Sequence, residues 1–447
     1  MTVRIQKPTF SLRDKINQLD LPVGEHGLEL LKARTPEETF KLARAGRRRM
    51  NANGDMRICQ SASTSQNFTG SVVGLGPDSW THYLNGMGTW RVSQDNDVPY
   101  HKEFAKSLKL QCMGADANSP AAADYFYTMY RMEAVDCWRV QYGTAYAQPV
   151  SVSFWIKSNQ TGMIKVNLEN ESNEDPDGGD RNCTRPVMIN KPNTWEFKTV
   201  TYPGDYYRGM DYYTAKGLVL EFFWSAGSTN GDDTGYVANW DSLSDQNGKR
   251  GRSPIKGGIN FANSTNNYIS LTGVQVEVGD TPTPYEHRDY AEELALCMRR
   301  KQILGAQYGM APGAYEIDAS GSNSGGYIPA QDNYNVIGRG WTRSTGIFQT
   351  MTFLPVPMLE MPSAAVYDFD NVSSPTNSFY AQYNGNTTQN VTFSGMNAAG
   401  SNLHSIWLDW NPGSNANSVT PVHVASRNNL AGSGTAKRNG IILLAEI

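Results

Sequence analysis

The sequence is poor in charge, in histidine and in cysteine, and it has no long apolar run. Of its 447 residues, 18% are Asp, Glu, Lys or Arg, against about 25% in an average soluble domain. The net charge is −4, so no global field draws nucleic acid to the chain. The five cysteines, Cys59, Cys112, Cys137, Cys183 and Cys297, are odd in number and widely scattered. No C-x-x-C pair occurs, which sets aside a zinc ribbon, a thioredoxin-type centre and a disulfide framework; reduced, mostly buried thiols are expected. The six histidines are spread over the whole chain and make no compact metal or triad set, and neither H-E-x-x-H nor G-x-S-x-G is present. Every apolar run falls short of the roughly 18 residues a membrane-spanning helix needs. Met1-Thr2-Val3-Arg4 leads into Lys7-Pro8 with no apolar core of a secretory signal, so neither membrane insertion nor signal-led export is expected.

What is plentiful suits strands and turns. The chain holds 42 Gly, 23 Tyr and 10 Trp, and small polar and aromatic residues favour sheets over helices. Its length allows two or three domains, each large enough for its own core. Residues 1–50 stand apart, with eleven Lys/Arg against six Asp/Glu. That is +5, and the remainder is −9. Within them Leu28 and Leu31 lie in a short apolar stretch, and Thr35-Pro36-Glu37-Glu38 has the chemistry of a helix start. Phe40 and Leu42 follow, and Arg47, Arg48 and Arg49 fall in the last turn, where cations suit the helix dipole. This segment has too little apolar surface to fold alone. Leu28, Leu31, Phe40, Leu42, Arg47, Arg48 and Arg49 are therefore its candidates for docking on a partner.

From Asn53-Gly54-Asp55 the apolar period changes to two. Met56 and Ile58 begin a predicted strand. Further strands are predicted around Trp90–Val92, Leu108–Leu110, Val150–Ile156, Ile164–Leu168, Trp195–Val200, Leu218–Trp224 and Ile269–Val278. Seven or more alternating runs between Gly/Asn/Pro/Asp loops predict a β-sandwich. Trp155, Trp195 and Trp224 are expected in its core, and long binding-competent loops over 169–194 and 226–267. Tyr290–Arg300 reads as one short helix, Glu early and Arg late. Beyond Gly305, runs at Thr350–Phe353, Ala364–Tyr367, Val391–Phe393, Ser405–Leu408 and Gly440–Leu444 predict a second β-domain.

Apparent catalytic motifs fail on context. His287-Arg288-Asp289 matches a kinase catalytic loop, but Leu294 stands where that loop needs Asn, and no Gly-rich loop with a strand lysine precedes it. Gly432–Lys437 has the wrong spacing for a phosphate loop. Residues 169–180 place six carboxylates in twelve positions. Asp175, Asp177 and Asp180 are the calcium candidates there; the order departs from an EF-hand, and a solvated acidic loop is the plainer reading. No other cofactor is expected. Aromatics are the better lead. Tyr206-Tyr207-Arg208-Gly209-Met210-Asp211-Tyr212-Tyr213 sets four tyrosines beside Arg208 and Asp211, with Trp240 in the second long loop. Flat rings with planar polar neighbours suit sugars, and ligand contact, subunit contact and plain packing all stay open for this cluster.

Two stretches carry a family resemblance. Leu271-Thr272-Gly273-Val274-Gln275-Val276-Glu277-Val278-Gly279-Asp280, then Thr283-Pro284-Tyr285-Glu286-His287-Arg288 and Glu293–Cys297, resemble a signature of tailed-phage virion proteins. In them it closes a carbohydrate-binding-module-like jelly roll. Asn53–Ile58, Gln148–Ser158 and Trp195–Val200 are similar to its earlier parts, and Phe353–Met358 with Met361-Pro362 and Ile441–Ile447 resemble a small C-terminal β-domain of such proteins. Met298-Arg299-Arg300-Lys301 stands where the family often has Gln-Arg-Tyr-Tyr. The resemblance implies a mainly β chain with a helical virion-anchoring segment over 1–50. After it come a jelly-roll β-sandwich over 51–289, a linker helix over 290–304 and a C-terminal β-sandwich-like domain over 305–447. It implies a non-enzymatic tail fibre or appendage in the virion, assembled in the host cytoplasm. Such a chain would be a homotrimer that docks on other virion proteins through 1–50 and recognises host surface polysaccharide. A head decoration, neck or adaptor protein is the alternative, and a polysaccharide depolymerase a remote third. The signature residues are framework, so the resemblance assigns no ligand contact.

Overall fold

The computed structural model describes residues 48–60, 65–71, 75–99, 103–116, 118, 120–171, 181–210, 216–228, 239–242, 258–304, 336–344, 347–368, 379–383, 386–411, 421–425 and 439–445. From Arg49 onward the chain forms one compact unit.

Two six-stranded antiparallel sheets make a jelly-roll sandwich. The first holds, in spatial order, β1 (Ser65–Phe68), β3 (Thr89–Asp95), β4 (Ser107–Gly114), β12 (Tyr268–Val278), β6 (Val150–Ser158) and β9 (Glu196–Tyr202). The second holds β11 (Asp241–Ser242), β8 (Arg181–Ile189), β7 (Gly162–Asn170), β10 (Lys216–Ala226), β5 (Tyr125–Glu133) and β2 (Thr81–Asn85). The chain crosses from sheet to sheet at most connections, so residues distant in sequence share one core. On β6, Val150, Val152, Phe154 and Ile156 point inward, and Phe222 and Trp224 of β10 meet them from the facing sheet. Phe154 and Phe222 pack edge to face at 5.0 Å, the geometry the ring quadrupoles prefer. His82 lies wholly inside this core, its Nδ1 3.0 Å from Thr128 Oγ1, and burial lowers its pKa to about 3.

The alternating runs became strands with three corrections. Met56 and Ile58 are buried but irregular: Met56 has a left-handed φ of 59°, so the segment turns into the core instead of extending along an edge. The span 169–194 is not one loop, because β8 lies within it; Asn182, Thr184 and Pro186 gave that strand a polar reading. Trp155 and Trp195 are half-buried on the outside, and of the three tryptophans expected inside only Trp224 is core. Trp155 follows inward Phe154, so strand alternation turns it outward.

The signature stretch has a structural explanation. Gly273 sits at the bulge of β12 with φ 61°, and a Cβ there would lie 2.6 Å from the Phe104 ring. Gln275 and Glu277 point outward from the bulged strand and bond Thr283 and the Glu286 amide. This folds 279–288 back over the sheet and delivers Tyr285, Arg288 and Glu293 to the incoming chain. Arg49 is 1% exposed; its guanidinium bonds the Glu293 carboxylate and the Tyr285 hydroxyl, and its amide bonds Glu286 at 2.8 Å. Burial works against the Arg49 charge, but Tyr285, Glu293 and Asp55 together outweigh it and hold its pKa above the ordinary value. Arg49 is thus a correction to the docking set: its charge is spent inside the sandwich. Arg48 is half-buried, and Leu28, Leu31, Phe40, Leu42 and Arg47 lie outside the described residues.

Helix α1 (Ala134–Cys137) is a single turn after β5, and α2 (Tyr290–Met298) is the helix read at Tyr290–Arg300; it stops short of the 290–304 span expected for a linker helix. Leu294, Cys297 and Met298 of α2 pack with Ile58 and Val356. The next residues form β13 (Lys301–Leu304), edge strand of a three-stranded sheet with β21 (Asn439–Leu444) and β16 (Ser363–Asp368). Beside it stand β14 (Val336–Ser344), β15 (Ile347–Phe353), β19 (Ser405–Asn411), β18 (Asn386–Met396), β17 (Phe379–Tyr383) and β20 (Pro421–Ala425). Expected as sandwich-like, this C-terminal β-region closes on itself: β20 pairs with β14 to complete a six-stranded barrel. Leu304, Leu408, Trp410 and Leu443 share its core. No helix among the described residues is long and apolar enough to cross a membrane.

Candidate binding surface

At the end of the sandwich where β5 and β9 finish, two loops carry aromatic side chains into solvent. Tyr206 and Tyr207 are 57% and 87% exposed, Trp138 61% and Tyr146 75%. Large apolar rings left in water are costly unless something covers them, and each of these loops is pinned, so the exposure is not slack.

The pin is Asp205, which is fully buried. Its carboxylate accepts from Arg181 Nε at 3.0 Å and from the Tyr207 amide at 3.2 Å, a local turn that an Asp side chain makes readily. Its backbone carbonyl accepts from the Gly143 amide at 2.8 Å, tying the 203–209 loop to the 138–148 loop. The two loops touch at glycines. A Cβ on Gly143, whose φ is 76°, would lie 2.4 Å from Gly209, and one on Gly204 would lie 2.4 Å from the Ala147 carbonyl. Within the first loop, Gln148 N bonds the Val140 carbonyl at 2.7 Å and Gln148 Nε2 the Tyr146 carbonyl at 2.6 Å.

Arg181, the first residue of β8, joins the parts. It bonds Asp205 and the Trp240 carbonyl, at 2.9 Å for the latter, and its guanidinium carbon lies 5.4 Å from the Tyr207 ring centroid. A cation against one ring face fixes the ring and leaves the other face to solvent. Beneath, Tyr142 and Trp240 meet edge to face at 5.3 Å. The thiols below are inert: burial raises Cys137 to about 12 and Cys183 to about 11.

The predicted cluster therefore divides. Tyr206 and Tyr207 are presented to solvent. Arg208, 4% exposed, and Trp240, 8%, are corrections: Trp240 donates Nε1 to the Pro203 carbonyl at 2.6 Å, so both act as supports under the surface. Asp211, Tyr212 and Tyr213 lie outside the described residues, as do the calcium candidates Asp175, Asp177 and Asp180. Of the acidic run, Glu169 is buried on β7 and Glu171 pairs with Arg131 at 2.9 Å. Sequence reading missed Trp138, Tyr146 and Arg181. Trp138-Arg139-Val140-Gln141-Tyr142-Gly143-Thr144-Ala145-Tyr146 carries three aromatic rings in nine residues, and that density was its own signal. The kinase look-alike is structural: the Arg288 guanidinium bonds the Asn51 carbonyl at 3.0 Å.

The outer face of the second sheet carries another aromatic set. Tyr83 stacks on Tyr127 at 4.8 Å, and Tyr127 meets Phe223 at 4.7 Å. Tyr127 and Phe223 are each 4% exposed, and their neighbours Asn167 and Glu221 are buried and bonded at 2.8 Å. Tyr127, Phe223, Asn167 and Glu221 are therefore not presented to solvent.

No protein-family model matches the chain, and no curated protein sequence matches it. Several solved structures are similar. The enzymatically active domain of bacteriophage CBA120 tailspike protein 4 aligns over 52% of this chain at 13% identity and a TM-score of 0.25; only 21% of that chain is covered. A putative sugar binding protein from Bacteroides thetaiotaomicron aligns over 52% of this chain and 99% of its own, at 9% identity and a TM-score of 0.28. The family 11 carbohydrate-binding module from Clostridium thermocellum, in complex with a mixed-linked tetrasaccharide, aligns over 47% and 91%, at 14% and 0.22. Likeness at this level bears on no residue's role.

Proposed function

We propose that this chain recognises glycan without cleaving it, through the rings of Trp138, Tyr146, Tyr206 and Tyr207 at the end of the jelly roll. One observation carries the reading: four rings more than half exposed stand on two loops locked to each other through Asp205. Rings offer apolar faces to pyranose C–H groups and hydroxyl or indole N–H donors at their edges. Preorganised rings lose little entropy when a ligand settles on them.

The wider role is a tailed-phage virion protein, a tail fibre or related appendage. The framework signature supports it, since Gly273, Gln275, Glu277, Tyr285 and Glu293 each have a structural task in this fold. In this reading the basic first residues attach the chain to other virion proteins, and the assembled form is a homotrimer.

The test is binding of the purified chain to polysaccharide from susceptible host cells. Wild type is retained, and the Tyr206→Ala/Tyr207→Ala double variant loses retention by about tenfold or more in affinity, with unchanged melting because neither ring is in the core. Equal retention of the double variant refutes this surface. No retention on any host polysaccharide, with the chain mapped to head or neck of the particle, makes the aromatic end an assembly contact instead.

A further inference from the structure

A second group of aromatics stands on the outer face of the first sheet. Trp155 of β6 and Phe197 of β9 are register partners with ring centroids 5.4 Å apart, and Phe197 is 50% exposed. Trp195 precedes β9 on the same side, and Tyr268 opens β12 next but one to β9 in the sheet. Five to seven residues of β6 separate this group from the aromatic end, roughly 16–23 Å at the rise of a strand.

Polar groups hold these rings in place. Asp97 accepts from Trp195 Nε1 at 3.2 Å and from Lys157 Nζ at 2.7 Å. Tyr268 donates its hydroxyl to Asn193 Oδ1 at 2.7 Å, and Lys109 Nζ lies 5.4 Å from its ring centroid. Two cations of this face stand beside carboxylates: Lys157 by Asp97 and Lys109 by Asp95, the latter at 3.3 Å. Around the rings these two pairs cancel in charge. Lys157 and Lys109, each beside a carboxylate, offer an acidic polymer little free charge. A ligand that brings apolar C–H faces and neutral hydroxyls finds both kinds of contact.

We infer that Trp155, Phe197, Trp195 and Tyr268, with Asp97 and Lys157, form a second carbohydrate platform that takes a neutral polysaccharide chain across the strands of the first sheet. The inference rests on the glycan-binding reading and extends it to a separate surface, so that one chain holds two sites. Two weak sites on one rigid body raise avidity on a repetitive surface without any new contact.

The experiment is native affinity electrophoresis of the full chain in gels containing dextran, galactomannan or xyloglucan, with an alginate gel alongside. At least one neutral gel retards the wild type, and high salt does not relieve it. Phe197→Ala and Trp155→Ala each weaken the apparent affinity by about tenfold, and Trp155→Phe restores part of it. Phe197 is half exposed, so its variant keeps the wild-type melting point and separates binding from folding. The Tyr206→Ala/Tyr207→Ala variant, run beside them, weakens binding independently. If both platform variants migrate as wild type in a gel that retards wild type, the platform is refuted while the aromatic end stands. If only the platform variants matter, the platform stands and the aromatic end falls. Retardation by alginate alone, or by no gel, overturns the platform.

Discussion

Replacing Glu293 with alanine tests whether the chain is locked at its entry to the sandwich. The Glu293 side chain is fully buried, as is that of Arg49. One carboxylate oxygen bonds the Arg49 guanidinium, and the other accepts from the Asn53 amide. Arg57 and Arg288 stand at 4.0 and 3.9 Å. Alanine would leave Arg49 buried without its nearest anion. Breaking a buried pair from one side costs about 3–5 kcal/mol, and an orphaned buried amide about 1–3 kcal/mol. Tyr285 and Asp55 still face Arg49, so about 4 kcal/mol is expected. At about 2–4 °C per kcal/mol for a domain of this size, the melting temperature falls by roughly 8–16 °C. Urea unfolding followed by near-ultraviolet circular dichroism measures it. Glu293→Gln keeps an acceptor for Asn53 and falls between. The Arg49→Met/Glu293→Leu pair recovers much of the loss, because no charge is left buried. A Glu293→Ala cost within about 1 kcal/mol, the range of an exposed pair, refutes the lock.

Two further outcomes follow from buried titratable groups. His82 has its pKa lowered to about 3 by burial, against about 6.5 unfolded. Between those values the unfolded chain binds a proton that the folded chain refuses. Stability is therefore full above pH about 6.5 and declines toward pH about 3, by roughly 3–6 kcal/mol in all. Urea midpoints across that window measure the slope, which His82→Leu flattens; a native imidazole resonance that titrates near pH 6.5 and disappears in His82→Leu contradicts it. Cys112, Cys137, Cys183 and Cys297 are buried and Cys59 is half-buried, so an aromatic disulfide reagent should modify at most Cys59 quickly in the native chain. All five react after denaturation, and rapid native labelling of Cys137 would count against the packing beneath the aromatic end.

Much of the architecture was legible because alternation of apolar residues is a local property. The runs at Val150–Ile156, Leu218–Trp224 and Ile269–Val278 each became a strand of the jelly roll, and Tyr290–Met298 became the helix its Glu-to-Arg gradient predicted. Strands with mixed chemistry, such as β8, escaped notice since half of their residues are polar. Tyr125–Glu133 was missed for the opposite reason: both of its faces are apolar or aromatic, so no period of two stands out. The candidate site was half legible. Tyr206 and Tyr207 announced themselves as a cluster, but nothing local to them says that Trp138 and Tyr146 share their end of the sandwich.

Local pattern alone was enough to show that this is a β chain, where most strands run, and that tyrosine and tryptophan are its most informative side chains. Tertiary structure alone decided which of those rings face water. Trp224 and Trp155 sit in strands that look alike, yet one is core and the other platform, because inside and outside are defined only when two sheets meet. It decided likewise that Arg49, the last of three arginines, is no docking residue. Its partner Glu293 lies 244 residues away, and a contact at that separation leaves no trace in the local pattern of either segment.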